Sequence, residues 1–348
     1  MPFRFVFSFL YGFSHQAVIV FFVLSGFLVG GGLVREFERN GTVDIVAYAM
    51  KRLVRRWTVL IPTFALSFLL QYIAVNGFNA VGTHVLPANI GQQSNLGTLG
   101  CNMIFLQTAL CEPYAGNGPL WSLFNESWYY VIWPLIFFAL VPRVSAVLRL
   151  LCGSAATALL IGLTWLQFSG SSFAPYMLLW LVGVGVAMAR KPVLKSVPIS
   201  AGVLVLFLLA VRLAIRRDSP LHSPLGTFVV DAVIAILFGH LLIAMKNRAS
   251  LFRPTLGSLN KGLADFSFTL YCVHAPILNL YLAMVMSRLG YGVQMKLETP
   301  MEWGVMVAPL LFVPVMAYAF SWITERRTDA IRALLMQRLF GRFAPRAA

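Results

Sequence analysis

Nine stretches of the chain, roughly residues 16–34, 57–75, 120–142, 146–166, 173–190, 197–215, 225–245, 265–288 and 303–323, each run for about twenty mostly apolar residues. An α-helix of about 20 residues is what crosses the hydrocarbon core of a bilayer. Inside that core every backbone polar group must be satisfied by the chain itself, which leaves only helices and closed barrels. These runs are too long and too uniformly apolar for barrel strands. The expected fold class is therefore all-α, a polytopic transmembrane bundle of about nine spans. The remaining loops have no room for a soluble domain, so residues 1–348 read as one integral-membrane domain with a short basic tail at 325–348. Composition agrees: soluble domains are about one quarter charged, and this chain is 11% charged. Met1-Pro2-Phe3-Arg4 leads almost directly into the first span, without the cleavage-site pattern of a signal peptide.

The charge is distributed unevenly. Lys and Arg number 27 against 12 Asp and Glu. In a soluble chain such an excess would suggest nucleic acid, but here it sits in loops between spans, so no nucleic-acid partner is expected. Assigned to alternate sides of the bilayer, 21 of the basic residues fall on one side and six on the other. The positive-inside rule makes the richer side cytoplasmic and puts the C-terminus there. Arg212, Arg216 and Arg217 are the main exceptions. The long loop 76–119 then lies on the opposite surface and contains no Lys or Arg. Its Asn, Gln, Gly and Thr suit either a plain solvated loop or contact with an uncharged polar ligand such as a sugar. Cys101 and Cys111 share that loop, so one bridge is possible in an oxidising compartment. Cys152 and Cys272 fall in spans and read as core. No internal repeat of the kind that builds transporters from two halves is evident.

Ionisable groups within spans are costly and hence candidates for function. Glu126 lies in PLWSLFNESWYYVIWPL, Asp231 at a similar depth in 225–245, and His274 in DFSFTLYCVHAPIL. Nine residues separate His274 from the cytoplasmic end of its stretch, about 14 Å of helical rise. Each has a structural alternative: Glu126 as partner to an arginine or indole, His274 as a packed core histidine, Asp231 as a structural carboxylate. His240 and Asp265 sit near helix ends. Ser25, in LSGF, reads as a small residue for close packing. Arg52, Arg55 and Arg56 are spaced i, i+3, i+4 and so share a helix face. They suit anchoring at the membrane surface, or a phosphate site, since the guanidinium fork binds phosphate oxygens bidentately.

FFVLSGFL, KRLVRRWTVLIP, PLWSLFNESWYYVIWPL and FSFTLYCVHAP, in this order, resemble the integral-membrane acyltransferase family 3. The resemblance extends to TERRTDAIR near the end of the chain. It implies O-acyl transfer, usually acetyl from acetyl-CoA, to sugars of surface polysaccharides, lipopolysaccharides or lipo-oligosaccharides. It implies a cytoplasmic acyl-CoA donor substrate, no tightly bound cofactor and a glycan or glycolipid acceptor. Arg52, Arg55 and Arg56 match the family's basic motif, implicated in handling CoA phosphates. Glu126 matches its acidic residue and His274 its late histidine. The family also carries an arginine and a histidine eleven positions apart in an additional first helix, the histidine being its proposed base, and it commonly has ten spans. Arg4 and His15 are eleven apart, yet only five residues separate His15 from Phe21, which places His15 where the family enters its second helix. The expectation is that the chain starts late and lacks that first helix, with His15 as the alternative base. Histidine suits deprotonation of a sugar hydroxyl, and hydrogen-bond donors suit the tetrahedral oxyanion, in direct transfer or through an acyl-enzyme. A glycolipid or polysaccharide permease or flippase is the alternative reading.

Overall fold

A helix lies at each of the nine apolar stretches. The computed structural model describes residues 13–83, 85–167, 173–189, 191–192, 194–214, 221, 223–246, 254–290 and 298–341. Arg4, Arg190, Arg216, Arg217, Arg253, Lys296 and the tail from 342 onward lie outside the described residues. Twelve helices are named here in chain order: α1 Ser14–Asn40, α2 Ile45–Phe78, α3 Leu96–Met103, α4 Trp121–Leu140, α5 Ala146–Leu166, α6 Phe173–Met188, α7 Val197–Ala214, α8 Pro224–Lys246, α9 Pro254–Ala264, α10 Ser267–Leu289, α11 Pro300–Ser321 and α12 Thr328–Phe340. Among the described residues six helices are long and apolar enough to cross a membrane: α1, α2, α5, α8, α10 and the α11–α12 run. Helices α6 and α7 are apolar but shorter. Among the described residues there are no strands, only two isolated bridges at Val81/Leu86 and Gln107/Cys111. The fold class is all-α, a polytopic helical bundle.

The chain divides into two compact units, Met1–Val43 with Asn125–Phe252, and Asp44–Phe124 with Arg253–Ala348. In the first, α1 and α6 meet backbone to backbone. A Cβ added at Gly26 would fall 2.0 Å from the Trp180 carbonyl oxygen, and one at Gly183 would fall 2.0 Å from that of Val23. A Cβ added at Gly31 would fall 2.1 Å from the Cβ of Ala187. Small residues let membrane helices approach like this, and dispersion then replaces the hydrophobic drive that lipid does not supply. Helix α1 also contains a π-helical turn, Gly26–Gly30, a distortion frequent at functional sites. Ile19 and Val23 of α1, Leu179 of α6 and Val230, Ile234 and Ala235 of α8 form the buried core. Helix α5 presents Leu150, Leu151, Ile161 and Trp165 outward, as a lipid-facing helix does.

In the second unit α2 runs beside α10, with α11 against α10 and α12 against α2. Asp44 caps α2, its carboxylate accepting from the Ala47 N–H at 2.9 Å. At 34 residues, α2 is about 51 Å long, longer than the ~30 Å bilayer core. Pro276 of α10 and Pro309 of α11 each remove the N–H that would have bonded the carbonyl four residues back. Both carbonyls find side-chain donors: Asn117 Nδ2 reaches Cys272 O, freed by Pro276, at 2.8 Å. Tyr281 OH reaches Val305 O, freed by Pro309, at 2.6 Å.

The segment 79–120 departs from the reading of loop 76–119 as a surface loop away from the arginines. Contacts along α2 trace its path. Ser94 Oγ donates to Gln71 Oε1 at 2.5 Å, the Tyr114 ring packs on Phe64 at 5.5 Å, Trp57 Nε1 donates to Met103 O at 3.1 Å, and Phe105 lies 5.7 Å beneath the Arg56 guanidinium. From Gln71 to Trp57 is about 21 Å of helical rise, so the segment re-enters alongside α2 down to its arginine-bearing end. Irregular backbone survives at membrane depth only where protein buries and satisfies it. Asn102, 1% exposed, does much of this. Its Nδ2 donates to Thr98 O and Glu112 O, and its Oδ1 accepts from the Tyr114 N–H. Cys101 and Cys111 form a disulfide across the same turn.

Candidate functional site

Glu126, on α4 in the first unit, is 5% exposed. Its Oε1 accepts from Ser25 Oγ at 2.6 Å and from Tyr130 OH, one helical turn further along α4. The two hydroxyls are themselves 2.8 Å apart, and Trp180 Nε1 donates to Ser25 Oγ at 3.1 Å. Ser25 is therefore more than a packing residue. The glycines beside it bring α1 against α6, and this puts its hydroxyl between an indole donor and a carboxylate acceptor. A carboxylate that accepts two hydroxyls is fixed in position and stays able to take further hydrogen bonds, since it offers about four lone-pair sites. Trp133 Nε1 donates to Gly30 O at 3.2 Å, which ties the π turn to α4.

The same unit holds a second polar pair. Asp231, 1% exposed on α8, receives His15 Nε2 on both oxygens, at 2.8 and 3.0 Å. Both contacts run from Nε2, which points the imidazole edge at the carboxylate. The expectation of a structural Asp231 thus gains a specific partner, 216 positions away in sequence. The Tyr176 ring of α6 lies 6.4 Å from the imidazole. His15 and Ser25 are separated by about 15 Å along α1, so the two polar groups lie at different depths.

In the second unit His274 sits on α10, partly buried. Its Nδ1 bonds the Tyr271 carbonyl at 2.7 Å, with Leu270 O at 3.2 Å. A carbonyl accepts only, so Nδ1 bears the hydrogen and Nε2 is the basic nitrogen. Tyr271 is held in turn, its hydroxyl 2.6 Å from Ser122 Oγ and donating to Pro119 O.

The three arginines share α2 but have separate environments. Arg52 lies over the Tyr48 ring at 4.1 Å and donates to Tyr48 O at 3.3 Å. Arg55, its side chain 57% exposed, pairs with Glu325 at 3.0 Å. Arg56 is 5% exposed, over Phe105. Glu325 also accepts from the Thr269 N–H and Oγ1, both at 3.1 Å, and so caps the first turn of α10. His240 accepts from the Leu194 N–H at 2.9 Å, which fits its reading as a helix-end residue. Among the described residues no group of His, Cys, Asp and Glu could hold a metal ion. Sequence reasoning missed Ser25, Tyr130, Trp180 and Asn117 as parts of these arrangements. Only the Ser-Gly of LSGF and the aromatic density around Glu126 hinted at the first three.

No curated protein and no solved structure matches the chain. A family model described as an acyltransferase domain, that of the acyltransferase 3 family, matches residues 2–325. The chain, with helices at the motifs of that family and a match over nearly all its length, belongs to the acyltransferase 3 family.

Proposed function

We propose that this membrane acyltransferase moves an acyl group, acetyl in the first instance, from acyl-CoA to a sugar hydroxyl of a cell-surface glycan or glycolipid. The carrying observation is the spacing within the second unit. The Asn117 amide that meets Cys272, two residues before His274, also lies 3.4 Å from Ser67 Oγ on α2. Ser67 is eleven residues beyond Arg56, about 17 Å of helical rise. A pantetheine arm is about as long as four to five extended residues, ~16 Å. Donor phosphates at Arg52 and Arg56 would thus put the thioester near His274.

His274 Nε2 takes the proton from the acceptor hydroxyl as its oxygen attacks the thioester carbonyl. Hydrogen-bond donors hold the tetrahedral oxyanion. On collapse the C–S bond breaks, and the CoA thiolate leaves with the proton from the imidazolium. Glu126, fixed by Ser25 and Tyr130, handles the acceptor sugar. His15, oriented by Asp231 as a base is oriented by a carboxylate in hydrolytic triads, is the second candidate for the base. The excess of Lys and Arg on one side supports a bacterial inner-membrane protein with a cytoplasmic C-terminus, where acyl-CoA is available.

The test is label transfer from radioactive acetyl-CoA to glycan in membranes supplied with a surface-glycolipid extract. General-base loss costs about 10²- to 10⁴-fold. His274→Ala should show that loss, and Arg56→Ala should raise the donor KM. A drop with His15→Ala alone would move the base to the first unit. Glycolipid translocation without consumption of acetyl-CoA would make the protein a permease or flippase instead.

A further inference from the structure

We propose that Asn117, on the returning limb of the re-entrant segment, is a positioning residue for His274. The inference rests on the reading of His274 as the base. Proline two residues after the histidine strips Cys272 O of its helical donor. The proline leaves α10 able to kink within a residue or two of the imidazole. Asn117 is fully buried and donates to that carbonyl at 2.8 Å. Flanking residues of the same segment, with Ser122 at the start of α4, grip the helix on either side of His274. Pro119 O and Ser122 Oγ bond the Tyr271 hydroxyl, and Gly116 O accepts from Asn279 Nδ2 at 3.4 Å. The Tyr271 carbonyl is what fixes His274 Nδ1, so whatever sets the peptides at 271 and 272 also sets the direction of the Nε2 lone pair.

The backbone leading to Asn117 is strained in a way this role explains. Phe105, Thr108 and Ala115 have φ of 58°, 71° and 53°, left-handed values that are unfavourable for residues with a Cβ. Such strain persists where surrounding structure over-determines it and clusters at functional sites. Ala115 and Gly116 in this conformation turn the chain so that the Asn117 amide faces α10.

The experiment is a cycle of Asn117→Ala and Pro276→Ala in the full-length protein in nanodiscs, with acetyl transfer as readout and His274→Ala as reference. Alanine at 276 restores an N–H to Cys272 O, so it should remove the need for Asn117. Expected is a kcat about ten-fold lower for Asn117→Ala, with the acetyl-CoA KM within about two-fold, since a misdirected base loses transition-state stabilisation rather than donor binding. In the Pro276→Ala background the same substitution should cost less than about two-fold. An equal loss in both backgrounds, or no loss in either, overturns the proposal. If Asn117→Ala does not fold alone, the double variant should fold and transfer. Its failure to fold while Pro276→Ala folds would make Asn117 a structural residue only. Full transfer by His274→Ala refutes the reading of the base itself, and is distinguishable because it does not depend on position 117.

Discussion

Each unit places an ionisable side chain among apolar helices, Glu126 buried and His274 partly buried, and each holds it by different means. In the first unit the holding elements are helices brought close by glycine, so Ser25 reaches Glu126 directly from the neighbouring helix and Trp180 in turn holds Ser25. In the second, the helix of His274 is interrupted by proline, and an irregular, amide-rich segment supplies the missing hydrogen bonds. The first arrangement depends on shape, where one extra carbon is too many. The second depends on donor and acceptor matching, where one lost amide leaves several groups unpaired.

The largest effect should come from the shape-dependent contact. Gly183→Val would drive a side chain into the Val23 carbonyl 2.0 Å away, backbone that cannot swing aside. Overpacking costs about 1–3 kcal/mol when side chains can give, and more when they cannot. The expected outcome is no monodisperse peak in detergent size-exclusion chromatography. Gly185→Ala, with nothing within 4 Å, should elute as the parent does. A folded Gly183→Val would mean that α1 and α6 are not held by backbone approach.

Next comes the matching-dependent region. Asn102→Ala removes donors to Thr98 O and Glu112 O and the acceptor of the Tyr114 N–H at once. Each buried group left unsatisfied costs about 1–3 kcal/mol. The expected loss is about 3 kcal/mol, read as a lower denaturation midpoint, and proteolysis should open first within the re-entrant segment. A loss near zero would mean that the segment is solvated after all and that its amides take partners from water.

The two regions also differ in how much the sequence discloses. Apolar length marks a helix at each of the nine stretches. Glu126 and His274 stand out because charge within such a run is expensive. The His15–Asp231 pair does not stand out as a pair, since nothing local links positions 216 apart. The re-entrant segment is harder still. Asn, Gln, Gly and Thr look the same in a solvated loop and in a buried one, and only the carbonyls freed by distant prolines distinguish them. His274 is legible as a residue, whereas its support at Asn117 depends on a proline whose effect appears only in three dimensions. Ser25 shows the converse: its Ser-Gly neighbourhood correctly signals close packing, and that packing is what delivers its hydroxyl to Glu126.

The smallest effect tests whether a proline-freed carbonyl matters for position or only for stability. Tyr281 satisfies Val305 O, freed by Pro309, as Asn117 satisfies Cys272 O. Tyr281→Phe removes one hydroxyl and leaves that carbonyl without its donor. Interhelical hydrogen bonds in membranes are worth about 0.6 kcal/mol on average, because the unfolded reference also finds partners. Thermal unfolding in micelles should therefore register a loss of about 1 kcal/mol or less, and Pro309→Ala should erase it. Transfer should stay at the parental rate, since Tyr281 lies two helical turns beyond His274 and bonds α11. If Tyr281→Phe slowed transfer as much as Asn117→Ala, any loosening of α10 would suffice to misdirect the imidazole. Stability lost at 281 and rate lost at 117 would show that the same chemistry serves the helix in one place and its base in the other.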